Sequence, residues 1–328
     1  MNPNFHILAL RFSSIGDVAM CVPVIDSVLK NNLEVKITFA TPKAFHVFFP
    51  VHERLNLIDF DKKQEHRGIL GLVRFYRQHF NLEFDAVADL HSVLRTQFLR
   101  GIFSTLGTPT AYIDKGRAEK KLLTQKDDKE LKPLIHTCTR YAQVFEELGC
   151  DVPLNFELQN FLGYPNALKD GVGIAPLAKH EEKQFPLEKM KEIVAHLAQN
   201  HQVYLLGGKE DEEILNTLVQ PKVENLAGKQ SFKEDLELMA GLKFVISMDS
   251  ANMHLASLVG TRVISVWGAT HPYLGFLGYG QSMKDVVQLE NLSCRPCSVF
   301  GNKTCWRGDL ACMNELSFSR TIFNLIFF

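Results

Sequence analysis

Two doubly wound α/β domains are what this chain predicts, on three observations. Near-continuous apolar runs alternate with amphipathic helical stretches along the whole sequence. The pattern starts afresh after a polar break, Asn160-Phe161-Leu162-Gly163-Tyr164-Pro165-Asn166. With 328 residues, 46% of them hydrophobic, the chain can build two cores of ordinary size. The domains are therefore drawn as 1–163 and 164–328, meeting near 153–169 and linked through 160–166. Parallel sheets with helices on both faces follow from the alternation. Ligands of such sheets bind beyond the carboxyl ends of the strands, so two facing domains imply a cleft.

In the first half, residues 5–12 read as a buried strand, 13–16 as a loop, 17–30 as a helix and 35–40 as a strand. Pro23 should kink that helix or delay its regular part. Residues 84–89 form a strand leading into a helix over 91–103, and 136–148 form an amphipathic helix ended by Gly149. In the second half, Gly171–Ala175 is a strand and 187–199 a helix with Met190, Ile193, Val194 and Leu197 on one face. Residues 203–206 are a strand closed by Gly207-Gly208, and 262–267 a strand ending at Trp267.

The charges nearly cancel, with 36 Lys and Arg against 37 Asp and Glu, so no long-range basic field recommends nucleic acid as the partner. Neither a signal peptide nor an apolar stretch of about 18 residues is visible, and the cytoplasm is the expected compartment. Of seven cysteines, Cys294, Cys297, Cys305 and Cys312 fall close together. They could hold zinc, but structural zinc sites usually repeat the paired spacing and this one does not, so reduced or packing thiols are the preferred reading. A disulfide ranks below both.

The strand ends carry the chemistry. After Phe244-Val245-Ile246-Ser247 the chain turns through Met248-Asp249-Ser250-Ala251 into a helix, which Asp249 and Ser250 can cap. The N–H groups of its first turn and its dipole favour an anion there, with His254 one turn in. The plainer alternative is a capped connection of an α/β domain. The strand ending at Ala175 delivers Lys179 and Lys183, and lysine beside helix-terminal N–H groups is a usual way to hold a diphosphate. The loop Gly207-Gly208-Lys209-Glu210-Asp211-Glu212 adds carboxylates that could take ribose hydroxyls. After the first strand, Ser13-Ser14-Ile15-Gly16-Asp17 has one glycine where a dinucleotide fingerprint needs three, which disfavours a nicotinamide site. Asp17 is either an acid in a helix first turn or a general base.

Gly16-Asp17 with Pro23 six residues on, Lys183-x-Phe185-Pro186, the Gly207-Gly208 acidic loop, Asp249-Ser250-x-x-x-His254 and Trp267-Gly268-Ala269-Thr270-His271-Pro272 occur in this order. Together they resemble the heptosyltransferase family of lipopolysaccharide glycosyltransferases, glycosyltransferase family 9. The resemblance implies a GT-B fold and an inverting, metal-independent transfer from a nucleoside-diphosphate sugar, ADP-heptose, with no cofactor. It implies Asp17 as catalytic base, Lys183 on the donor phosphates, Glu212 on the ribose, and Asp249, Ser250, Ala251 and His254 around the nucleotide. Where the family usually has Gly after Asp-Ser/Thr this chain has Ala251, and Trp267–Pro272 replaces a commoner Gly-Pro-Thr-Asp-Pro. The Phe-rich tail after Leu316 is read as a short closing helix that returns to the first domain.

With the resemblance, Ser14, His91, Arg95, Arg117 and Lys120, with Arg100, Lys115 and Lys121 nearby in sequence, are the expected acceptor side, a basic patch for an acidic glycolipid, the plainer alternative being an exposed helix and loop with ordinary charges. Such a patch would also give peripheral contact with the anionic inner membrane surface. Two other classes compete: a nucleotide-sugar epimerase of similar architecture and a non-catalytic sugar-nucleotide-binding protein.

Overall fold

The computed structural model describes residues 4–79, 82–166 and 170–317. It divides into two compact units, one comprising the chain to Lys115 with Thr137–Asn155, the other Gly116–His136 with the chain from Phe156 onward.

In chain order the first unit contains β1 (Phe5–Leu10), α1 (Ile15–Ala19), α2 (Val22–Asn31), β2 (Val35–Thr41), β3 (Leu55–Asp59), α3 (Gly68–His79), β4 (Ala86–Asp89), α4 (Leu94–Thr105) and β5 (Thr110–Tyr112). α5 (Arg117–Leu123) belongs to the second unit, and α6 (Thr137–Glu147) returns to the first. The sheet order is β3-β2-β1-β4-β5, all parallel. Strand order reverses between β1 and β4, and the loops after these two strands open at that switch point. β1 is buried from His6 to Leu10, as a strand covered on both faces must be. The expected long helix is two: Pro23 sits in the first turn of α2, where its missing N–H is harmless, and α1 ends before it. α4 begins three residues later than expected. Asp89 Oδ1 accepts the N–H groups of His91 (3.0 Å) and Ser92 (2.7 Å), and Ser92 takes a left-handed φ of 43°, which no helix continues.

The second unit runs β6 (Gly171–Ala175), α7 (Leu187–Asn200), β7 (Gln202–Leu205), α8 (Glu212–Asn216), β8 (Val223–Asn225), α9 (Phe232–Gly241), β9 (Phe244–Met248), α10 (Ala251–Leu258), β10 (Val263–Trp267), β11 (Val286–Gln288) and α11 (Ala311–Asn314). Its six strands are parallel in the order β11-β10-β9-β6-β7-β8, with the switch between β6 and β9. Met190, Ile193, Val194 and Leu197 of α7 are buried in its core with Val172, Ile174, Phe244 and Ile246.

Two expectations of domain layout change. The boundary drawn at 163/164 falls at Asn155/Phe156, and residues 116–136 pack with the second unit. Leu134 N–H donates to Tyr273 O (2.8 Å), His136 Nε2 meets Leu277 O (2.7 Å), and Lys129 Nζ donates to Cys294 O (2.7 Å). The polar stretch 160–166 is not a free linker. Asn160 Oδ1 accepts the N–H groups of Leu162 and Gly163, Asn160 bridges to Val259, and Phe156 and Phe161 pack on Tyr279. The closing tail helix falls on residues 318–328, outside the described residues.

Candidate functional site

In the first unit, Asp17 stands in the third position of α1 with Ser14 as N-cap. Its Oδ2 accepts from the Ser14 backbone N–H (3.1 Å) and Oγ (2.7 Å) and pairs with Arg11 at 2.6 Å. Arg11 follows β1, is buried, and donates also to Leu90 O at 2.7 Å. Asp17 itself is partly open to solvent. His91, after β4, accepts the Phe12 N–H at its Nδ1 (3.3 Å), which leaves the proton of the neutral ring on Nε2. Burial first, then the Arg11 and Lys115 cations, hold its pKa down to about 3. The structure thus brings Ser14, Asp17 and His91 to the β1/β4 switch point and adds Arg11. A charge closing an otherwise apolar run was the signal for Arg11 that sequence reasoning passed over. Asp89 is fully buried and committed to its loop.

Of the acceptor patch, Arg95 is exposed on α4. Arg117 and Lys120 lie on α5 in the second unit, so the residues expected to act together divide between the units. Lys120 is buried, with its ammonium 4.2 Å from the centre of the Phe276 ring, because α5 packs its lysine inward.

In the second unit, Lys183 (after β6) and Asp249 (after β9) meet at the other switch point, Nζ to Oδ2 3.0 Å. Thr270 Oγ1 donates to the same Oδ2 at 2.8 Å. Asp249 therefore does not cap α10 as expected; its oxygen is taken by a cation and a hydroxyl. Ser250 occupies the N-cap with extended backbone, yet its side chain makes no capping bond, since its Oγ lies 3.3 Å from Ser247 Oγ. The α10 terminus keeps its backbone donors, that of Ala251 among them, for a ligand. One of the three ammonium donors of Lys183 meets Asp249, which leaves two to turn toward an anion. His254 is buried one turn into α10. Lys179 is exposed. Glu212 opens α8 with its carboxylate 3.7 Å from Lys229 Nζ.

Two glycines make room for Lys183 and its loop, and an arginine shapes the neighbouring Trp267–Thr270 loop; none of the three was assigned a site role from the sequence. Gly301, at φ +74°, lies so close to the Lys183 stem that any Cβ would collide with Cγ and Cδ. At Gly268 a Cβ would meet Glu182 O at 2.9 Å, so its absence lets the lysine loop approach β10. Arg295, buried between two cysteines, donates to Trp267 O (3.2 Å), Thr270 O (3.0 Å) and Leu289 O (2.9 Å), holding the Trp267–Thr270 loop in shape. His271 Nδ1 accepts the Tyr273 N–H at 3.1 Å, the role of a capping aspartate, which accounts physically for histidine in that motif.

Cys294, Cys297, Cys305 and Cys312 are free thiols, and burial pushes Cys297 and Cys312 up, the latter to about 11. Among the described residues no three His, Cys, Asp or Glu side chains are grouped to hold a metal, and no helix is long and apolar enough to cross a membrane.

Residues 74–305 match the model of glycosyltransferase family 9 (heptosyltransferase). A lipopolysaccharide core heptosyltransferase of Haemophilus influenzae is 23% identical over 80% of this chain and 79% of its own length. Lipopolysaccharide heptosyltransferase 3 of Escherichia coli is 26% identical over 78% and 81%. Among solved structures, a family 9 glycosyl transferase from Veillonella parvula superposes with a TM-score of 0.74, at 17% identity over 99% of this chain and 97% of that one. The Escherichia coli heptosyltransferase WaaC with ADP gives 0.65, at 21% identity over 86% and 92%. The fold is the expected pair of parallel-sheet units of the GT-B kind, and the family match stands against the epimerase reading. With this match over most of its length, the chain belongs to glycosyltransferase family 9, the heptosyltransferases, and is a glycosyltransferase.

Proposed function

We propose that this protein transfers heptose from ADP-heptose to a hydroxyl of a lipopolysaccharide-type glycolipid, inverting the anomeric centre without a divalent metal. The observation that carries the donor half is the Lys183–Asp249 pair at the N-terminus of α10, on the β6/β9 switch point. It supplies a fixed cation and unspent backbone donors where a diphosphate needs them. Glu212 takes the ribose, and Ser250, Ala251 and His254 line the nucleotide. The names of the relatives supply heptose, lipopolysaccharide core and ADP.

In the reaction the acceptor oxygen attacks the anomeric carbon, its proton passes to Asp17, and the bond from that carbon to the donor phosphate breaks. Lys183 and the α10 terminus neutralise the charge growing on the departing ADP. Ser14 and Arg11 hold the Asp17 carboxylate, while His91 and Arg95 contact the acceptor. A glycolipid acceptor places the work at the cytoplasmic face of the inner membrane, with the protein peripheral.

Purified protein incubated with ADP-heptose and a deacylated core acceptor, in the presence of EDTA, should release ADP and add one heptose to the acceptor by mass spectrometry. Transfer that stops with EDTA and returns with magnesium would contradict the metal-free part. Epimerised donor formed without acceptor would contradict transfer.

A further inference from the structure

A cavity of about 720 Å³ opens in the second unit between α5 with its following loop and the cysteine-bearing segment, within the usual range of small-molecule sites. Lys121, Lys126, Lys303, Thr304 and Trp306 are among its lining residues, and no carboxylate is. Among the described residues these three lysines form no ion pair. Trp306 is 53% exposed, a large share for the largest side chain. Lys126 Nζ stands 4.6 Å from its ring centre, so cation and aromatic plane are presented together. The walls are tied: Lys129 Nζ donates to Pro296 O (2.9 Å) as well as Cys294 O, and Lys120 anchors α5 on Phe276. The cavity is thus held in shape by bonds on both sides.

We infer that this cavity binds an acidic saccharide, a sugar bearing phosphate or carboxylate. An indole offers an apolar plane to the C–H face of a sugar ring, the lysines neutralise the acid group, and the Thr304 hydroxyl is at hand for ring hydroxyls. Three like charges around one space repel each other until an anion enters. The inference rests on the proposed function in one respect: the donor diphosphate already has its site at α10, so the acidic ligand left to be held is the saccharide of the acceptor.

The chain has two tryptophans, and Trp267 is fully buried, so Trp306 fluorescence reports on this cavity. Titration with glucose 6-phosphate should give a saturable change that Trp306→Phe abolishes and glucose does not produce. Lys126→Gln with Lys303→Gln should weaken it by about tenfold or more, the loss of charge-assisted bonds. These are surface lysines, so the variant folds, as thermal stabilisation by ADP equal to that of the parent will show. No saturable change, an equal response to glucose, or unchanged affinity in the double variant would overturn the inference. Inorganic phosphate or ADP binding as tightly as the sugar phosphate would overturn the saccharide. Failure of the transfer reading is seen separately, as absence of ADP release and of heptose addition to the core acceptor by the parent protein.

Discussion

The buried Arg11 guanidinium lies 2.6 Å from Asp17 Oδ2 and donates at 2.7 Å to the Leu90 carbonyl, joining the loop after β1 to the strand end after β4. One side chain thus ties the carboxylate to both strand ends, beside the two bonds from Ser14. Arg11→Leu removes a cation and leaves a carbonyl and a half-buried carboxylate without it. Loss of a buried pair partner typically costs about 3–5 kcal/mol, and the open side of Asp17 places this case near the lower end. Denaturant unfolding should show that loss. The turnover number should fall more than donor affinity does, with part of it restored in Arg11→Lys.

Lys183 and Gly301 make a second, independent test. Lys183→Ala should weaken ADP binding by about tenfold to a hundredfold, the worth of charge-assisted bonds to a phosphate. Gly301→Ala should weaken it too, because a methyl there displaces the Lys183 stem. Gly308→Ala is the control: it shares the left-handed backbone, φ +78° against +74°, but has open space around it. Both variants lose stability from backbone strain, and calorimetric titration with ADP should separate them. Equal ADP affinity in the two would mean that Gly301 does not position Lys183.

Acid should destabilise the protein through its buried histidines. Burial, before any charge, pushes His136 and His271 down to about 4, and His91 to about 3. Unfolded histidines protonate near 6.5, so as pH falls below that value the unfolded state takes up protons that the folded state refuses. Stability should be flat above about pH 7, on this linkage, and decline from pH 6.5 toward 4. His91→Gln should make the decline shallower, as read from urea unfolding at a series of pH values. An unchanged slope would place His91 outside the linkage.

The fold was largely legible, because strands buried on both faces write themselves as apolar runs: Gly171–Ala175 has the bounds expected for it. Short strands such as β3 and β5 escaped, since burial of one face or three residues leaves little pattern. Asp17, Lys183 and Asp249 were readable from their places after strands. Gly301 was not, because its importance lies in what it lacks, beside a lysine 118 positions away in the chain. The 116–136 segment was assigned by sequence proximity, and only hydrogen bonds such as Lys129 to Cys294 place it in the other unit.

Asp17→Asn tests the central claim most directly. Asparagine keeps the size of the side chain and can still face Ser14, but it cannot accept the proton of an attacking hydroxyl. General-base assistance is typically worth about a hundredfold to ten-thousandfold in rate. In single-turnover transfer from saturating ADP-heptose, Asp17→Asn should be slower by that order, with ADP affinity as in the parent protein. Transfer at the parental rate, or a loss confined to ADP affinity, would contradict Asp17 as the base.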